Sequence, residues 1–168
     1  LGDLRHVLLA AVRRDALIRI YALSEAGAGQ LALNLHRLFN YRFSVPPKSA
    51  GALLSASGLR PDALPGPLRE LLLPLLESLF LDPRLSPVLA YPQCLGNLLL
   101  AAAIYRHLRL KDSAGGSFAW ARQPKDLQQA TIQGLADLAR ALGVQEDAVL
   151  PAALTPAELS LLYSNGVL

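Results

Sequence analysis

Cys94-Leu95-Gly96-Asn97 and the apolar run behind it, Leu98-Leu99-Leu100-Ala101-Ala102-Ala103-Ile104, decide the reading of this chain. Helix is predicted from Leu98 to Leu110, and its run from Leu98 to Ile104 has almost no polar face. A helix apolar all round belongs at the centre of a domain rather than on its surface. Gly96 and Asn97 put backbone amides and one side-chain amide at the positive end of the helix dipole, a setting that suits an anion or a nucleotide. The plainer alternative is that Gly96 permits close packing and Asn97 is an ordinary N-cap.

Around this centre, 168 residues that are 52% hydrophobic, with a mean hydropathy of +0.32, suffice to bury one domain's core. No apolar run reaches the roughly 18 residues that a membrane span needs. Pro74, Glu77, Asp82 and Arg106 break or end the longest ones. A soluble, helix-rich single domain is therefore expected, without a membrane partner. With no signal peptide at the start, the default location is cytoplasmic. The net charge is +3, yet Arg13-Arg14 is the only adjacent basic pair. A nucleic-acid surface shows a basic stripe or patch, so no nucleic-acid partner is expected. The single Cys94 excludes an internal disulfide and a Cys-based zinc site, and His6, His36 and His107 match no metal-ligand spacing.

Outward from the centre the pattern is helical. Asp3 is a candidate N-cap for a first helix carrying Leu4, Val7, Leu8 and Ala11, and Asp15 for a second from Ala16 to Leu23. Gly27-Ala28-Gly29 reads as a mobile connection. A stronger helix runs from Gln30 into Phe39-Asn40-Tyr41-Arg42-Phe43 and stops at Pro46-Pro47. Tyr41 and Arg42 could face a ligand as an aromatic platform and a guanidinium; the alternative is a packed ring and a solvated cation. A short helix is predicted over Ala50 to Ser57. A leucine-dense one follows from Leu68 to Leu81, with Pro67 in its first turn and a kink at Pro74. Gly115-Gly116-Ser117 reads as a surface loop. Asp126 caps an amphipathic helix that Gly143 terminates. Ala148-Val149-Leu150-Pro151 resembles a buried strand end, and Leu159 to Val167 a strand entering an Asn-Gly hairpin turn.

Four stretches line up, in order, with a known family. Gly2-Asp3-Leu4-Arg5 resembles its Gly-Asp-Ile/Leu-Arg motif, and Leu38-Phe39-Asn40-Tyr41-Arg42-Phe43 its Leu-Phe-Xaa-Tyr-Arg-Phe stretch. Leu95-Gly96-Asn97-Leu98 resembles its Leu/Phe-Gly-Asn-Leu helix, and Val149-Leu150-Pro151 its Val-Leu-Pro strand. The family is that of the gluconeogenesis factors (YvcK-like), within the superfamily of 2-phospho-L-lactate transferases (CofD-like). The resemblance implies an α/β fold, a Rossmann-like parallel sheet with a large helical insertion, of which this segment is the predominantly α-helical part. It further implies an internal segment of a longer domain, with the glycine-rich Gly-Gly-Thr-Gly loop before Leu1 and further strands beyond the end. The family's usual Gly-His-Ser is replaced here by Pro92-Gln93-Cys94, which removes an imidazole and a hydroxyl.

The function that the resemblance implies is a nucleotide- or nucleotide-sugar-binding regulator, UDP-sugar-like in ligand, linked to gluconeogenic carbon metabolism, cell-wall synthesis and cell shape. Gly2, Asp3, Arg5, Gly96 and Asn97 would bind the ligand, with Arg5 paired to a diphosphate and Asp3 orienting Arg5 or holding Mg²⁺. No catalytic residue is nominated. One alternative is a transferase using a GDP-linked donor, for which Asp3 and His6 are the only bases in reach. Another is a helical interaction module without a small-molecule ligand, docking a partner or a second copy as a homodimer through Leu68–Leu81. A mostly helical structure favours the module; parallel strands near Asp3 and Val149 favour the other two.

Overall fold

A computed structural model describes residues 2–108 and 124–148. Among them are seven α-helices: α1 (Gly2–Ala10), α2 (Arg14–Tyr21), α3 (Glu25–Asn40), α4 (Ala50–Ala56), α5 (Gly66–Leu81), α6 (Leu95–Tyr105) and α7 (Pro124–Ala141). A two-residue ribbon pairs β1 (Arg42–Phe43) antiparallel with β2 (Gln93–Cys94), Arg42 opposite Cys94 and Phe43 opposite Gln93. Short 3₁₀ turns occupy Pro61–Ala63, Ser86–Ala90 and Glu146–Ala148.

The all-apolar run lies where its composition requires. Every residue of α6 is buried except Asn97, and the helix packs against α1, α3, α5 and α7. Gly134 lets α7 approach closely, since a Cβ there would lie 2.7 Å from the backbone of Ala103. α6 ends at Tyr105, short of the expected Leu110. There Arg84 donates to the carbonyls of Tyr105 and Leu108, at 3.2 and 2.7 Å, and satisfies acceptors that the helix end would otherwise orphan.

The expectation of an α/β fold with a Rossmann-like parallel sheet is overturned: among the described residues the only strands are the two of the antiparallel ribbon. The connections explain why. Ala11–Arg13 and Ala22–Ser24 join successive helices, and segments so short hold no strand of the usual 5–6 residues or so. Predominantly helical is the correct description of this segment. Ala148, expected to open a strand, is exposed in a 3₁₀ turn. Val149–Pro151, the hairpin at Leu159–Val167 and Gly115-Gly116-Ser117 lie outside the described residues.

Helix boundaries also shift. Gly27-Ala28-Gly29 is no connection but part of α3. Ser24 caps that helix by accepting from the Gly27 amide at 3.0 Å, Ala28 is fully buried, and Gly29 lies against the Arg14 guanidinium. Tertiary packing here overrides the low helix propensity of glycine. α2 starts at Arg14, so Asp15 sits in its first turn rather than at its cap, and α7 likewise starts before Asp126. α5 carries Pro67 in its first turn as expected. Pro74 is exposed, so the carbonyl it leaves without an amide partner faces solvent, and α5 continues to Leu81.

Candidate functional site

The first turn of α1, the ribbon and the first turn of α6 meet at Arg5. Gly96 makes the meeting possible: a Cβ there would lie 2.3 Å from the Phe39 carbonyl oxygen and 2.7 Å from Arg5 Cδ. Glycine thus lets α6 rest on the end of α3 and leaves a slot along which the Arg5 chain runs. The two readings of Gly96, close packing and site, are therefore one arrangement.

In that slot Arg5 Nη1 donates to Asn97 Oδ1 at 2.9 Å and to Cys94 Sγ at 2.6 Å. Nη2 donates to His6 Nε2 at 3.2 Å, and Nε is buried without a partner. The thiol of Cys94 in turn donates to the Phe39 carbonyl at 3.2 Å, and the Leu95 amide donates to the Tyr41 carbonyl at 2.8 Å. Asn97 is consequently not an N-cap. Cys94 holds the cap position without a side-chain bond, and the Asn97 carboxamide is turned to Arg5 instead.

Of the residues singled out from sequence, Arg5, Gly96 and Asn97 converge directly. Tyr41 contributes its carbonyl to the start of α6, while its half-buried ring packs on the core. Arg42 is exposed, opposite Cys94 in the ribbon. Gly2 and Asp3 begin α1; Asp3 is exposed and bonds to no described residue, so it does not orient Arg5. As a magnesium ligand it stands alone, because no group of three or more His, Cys, Asp or Glu residues able to hold a metal exists among the described residues. A single exposed carboxylate fits Mg²⁺ only if the phosphates of a ligand supply the other oxygens.

Two residues of this cluster were not read as ligands from sequence. Cys94 enters the sequence reading as a lone thiol in place of a hydroxyl, and His6 as a candidate base. The contact of Cys94 with Arg5 depends on long-range packing that no local pattern announces, and that of His6, the next residue, on the path of the Arg5 side chain.

The electrostatics of Arg5 stand out against those of Arg84. The Arg84 side chain is 7% exposed and takes both carboxylate oxygens of Asp82, and it lies 4.7 Å from the centre of the Tyr105 ring. Burial pushes the Asp82 carboxyl up, but bonds from the Arg84 side chain and backbone and its charge hold it below its ordinary value. That cation is neutralised. Arg5, also partly buried, has as its partners among the described residues a thiol, a carboxamide and an imidazole nitrogen, and no carboxylate.

No family model, curated protein or solved structure matches the chain.

Two grooves lie elsewhere. One of about 700 Å³ between α2, α3 and the 61–67 segment is lined by Ile20, Leu23, Leu31, Leu64 and Pro65. Another of about 630 Å³ is lined by Arg13, Asp15, Arg19 and Gln145. Neither includes Arg5 or Asn97. Among the described residues no helix is long and apolar enough to cross a membrane.

Proposed function

We propose that this protein is a cytoplasmic nucleotide- or nucleotide-sugar-binding regulator of the gluconeogenesis factor type, in which Arg5 receives the diphosphate. The observation that carries this reading is a fixed, partly buried guanidinium with no carboxylate partner among the described residues and one buried N–H unsatisfied. Withdrawing such a charge from water costs free energy that an incoming anion offsets. Arg is also the side chain best shaped for phosphate oxygens. Support comes too from the meeting of three motif stretches, around Arg5, Tyr41 and Gly96, that are distant in sequence.

In this reading the ligand sits against the first turns of α1 and α6. Asn97 fixes the guanidinium through its Oδ1, which leaves its Nδ2 as a donor for the ligand. Asp3 is available to a Mg²⁺ ion carried on the phosphates. Of the two candidate bases of the transferase alternative, His6 touches Arg5 and Asp3 bonds to no described residue. The helical interaction module is the second reading, and the dominance of helix together with the apolar groove beside α2 favours it.

Calorimetry of the full protein with UDP-N-acetylglucosamine and with GDP, each with Mg²⁺, tests the proposal. Binding that is lost in both Arg5→Ala and Asn97→Ala is the expected result. A folded protein that binds neither ligand would sink it and leave the interaction module.

A further inference from the structure

A guanidinium has no lone pair to offer and can only donate. In the 3.2 Å contact of Arg5 Nη2 with His6 Nε2 the imidazole nitrogen is therefore the acceptor. Successive residues on a helix do not face each other. The Arg5 chain thus has to reach across its own helix to make this contact, while its other terminal nitrogen is held by Cys94 and Asn97.

The Nη2 edge is also the open one: its contact with His6 is exposed, whereas the bonds from Nη1 are partly buried. An anion approaching Arg5 meets Nη2 and displaces Nε2. The freed imidazole nitrogen then lies beside both the anion and the guanidinium. A neutral imidazole with its proton on Nδ1 would present a lone pair there and repel the anion; the other tautomer presents an N–H without charge, and a protonated ring adds to that N–H a positive charge, which a dianion favours. Few other charges compete. α6 carries no charged residue; Arg42 of the ribbon and Glu25, His36 and Arg37 of α3 are exposed and bond to neither Arg5 nor His6. Asp3, on α1 itself, forms no ion pair, and Cys94 is the remaining titratable group in contact with Arg5.

We infer that His6 is a second ligand of the Arg5 site, recruited by protonation, so that binding a dianionic phosphate-type group takes up a proton. The inference rests on the anion site proposed above and adds a residue, a charge class and a pH dependence to it. By linkage, whatever proton affinity His6 gains on binding is returned as ligand affinity. One unit gained corresponds to binding about 10-fold tighter on the acid side of the imidazole range than on the alkaline side.

The test uses sulfate, whose charge does not change across this range, with chloride at equal ionic strength as control. The imidazole C–H resonances of the three histidines are followed against pH by NMR, His6 being assigned by its loss in His6→Gln. The expected result is that the His6 midpoint rises in sulfate while those of His36 and His107 stay, and that the rise disappears in Arg5→Gln. A His6 midpoint indifferent to sulfate would overturn the inference. In parallel, UDP-N-acetylglucosamine binding is measured near pH 6 and near pH 8. Binding that is lost in Arg5→Ala but has the same pH dependence in His6→Gln as in the parent would remove His6 and leave the anion site standing. A His6 midpoint that moves in sulfate without any nucleotide binding would keep the anion site with His6 and remove the nucleotide.

Discussion

Gly96→Ala sets two effects of known sign against each other. Helix propensity favours alanine by about 1 kcal/mol in a helix interior and by less at Gly96, the second residue of α6. Against that stands the new methyl, whose carbon would fall 2.3 Å from the Phe39 carbonyl oxygen and 3.0 Å from its carbonyl carbon. Both distances are short of ordinary contact, the first by more than about 1 Å. The Arg5 Cδ at 2.7 Å can swing aside, but the last turn of α3 is backbone and must move as a unit. Overpacking of this kind costs about 1–3 kcal/mol, and rigid backbone puts this site at the upper end. The net expectation is destabilisation by about 2 kcal/mol, or roughly 4–8 °C in Tm for a chain of this length. Urea denaturation of Gly96→Ala measures it, with Gly51→Ala as control. At Gly51 a Cβ meets only Ser49 Oγ at 3.9 Å, so this exposed helical position reports propensity without a clash. If Gly96→Ala is as stable as the parent, or gains as much as Gly51→Ala, the close approach of α6 to α3 is wrong.

Gly134→Ala should behave like Gly96→Ala, because its methyl would meet the Ala103–Ile104 backbone at 2.7 Å; a loss of about 2 kcal/mol in urea is expected. Asp82→Asn removes the carboxylate that Arg84 engages through both oxygens and should cost about 3 kcal/mol, at the low end for breaking a largely buried pair. The Asp82 carboxyl is held below its ordinary value in the folded state. Its stabilisation is therefore complete above about pH 4, where the unfolded carboxyl titrates. It is lost as pH falls through the lower folded value, and acid titration of stability should flatten in Asp82→Asn. Ser24→Ala removes the side chain that accepts from the Gly27 amide and should lower Tm by the equivalent of about 1 kcal/mol.

Composition made the centre of the molecule legible. A stretch such as Leu98 to Ile104 has no face to turn to water, and it is buried throughout. The short helix after Ser49 and the leucine-dense helix opened by Pro67 were equally readable, because their signals are local. Glycines misled where a neighbour decides their environment. Gly27 and Gly29 looked like a hinge, yet a serine cap and an arginine side chain from α2 hold them in helix. The parallel sheet came from resemblance rather than from any run of β-branched residues, and the described chain forms none. At the site, residue types pointed to Arg5, Gly96 and Asn97 without giving their mutual geometry. Asn97 stayed open between cap and ligand contact because a local pattern does not reveal that the side chain of another helix reaches it.

The burial of α6 on all sides has a kinetic consequence. Other elements can fray without uncovering the whole core, but α6 can reach solvent only when α1, α3, α5 and α7 come away from it. Its amides should therefore exchange with deuterium only through global opening, setting the ceiling of protection for the chain. The same enclosure ties Arg5 at one end of α6 to Arg84 at the other through a single stiff element. A ligand that tightens the first turn of α6 should accordingly slow exchange near Tyr105, at the far end of the helix.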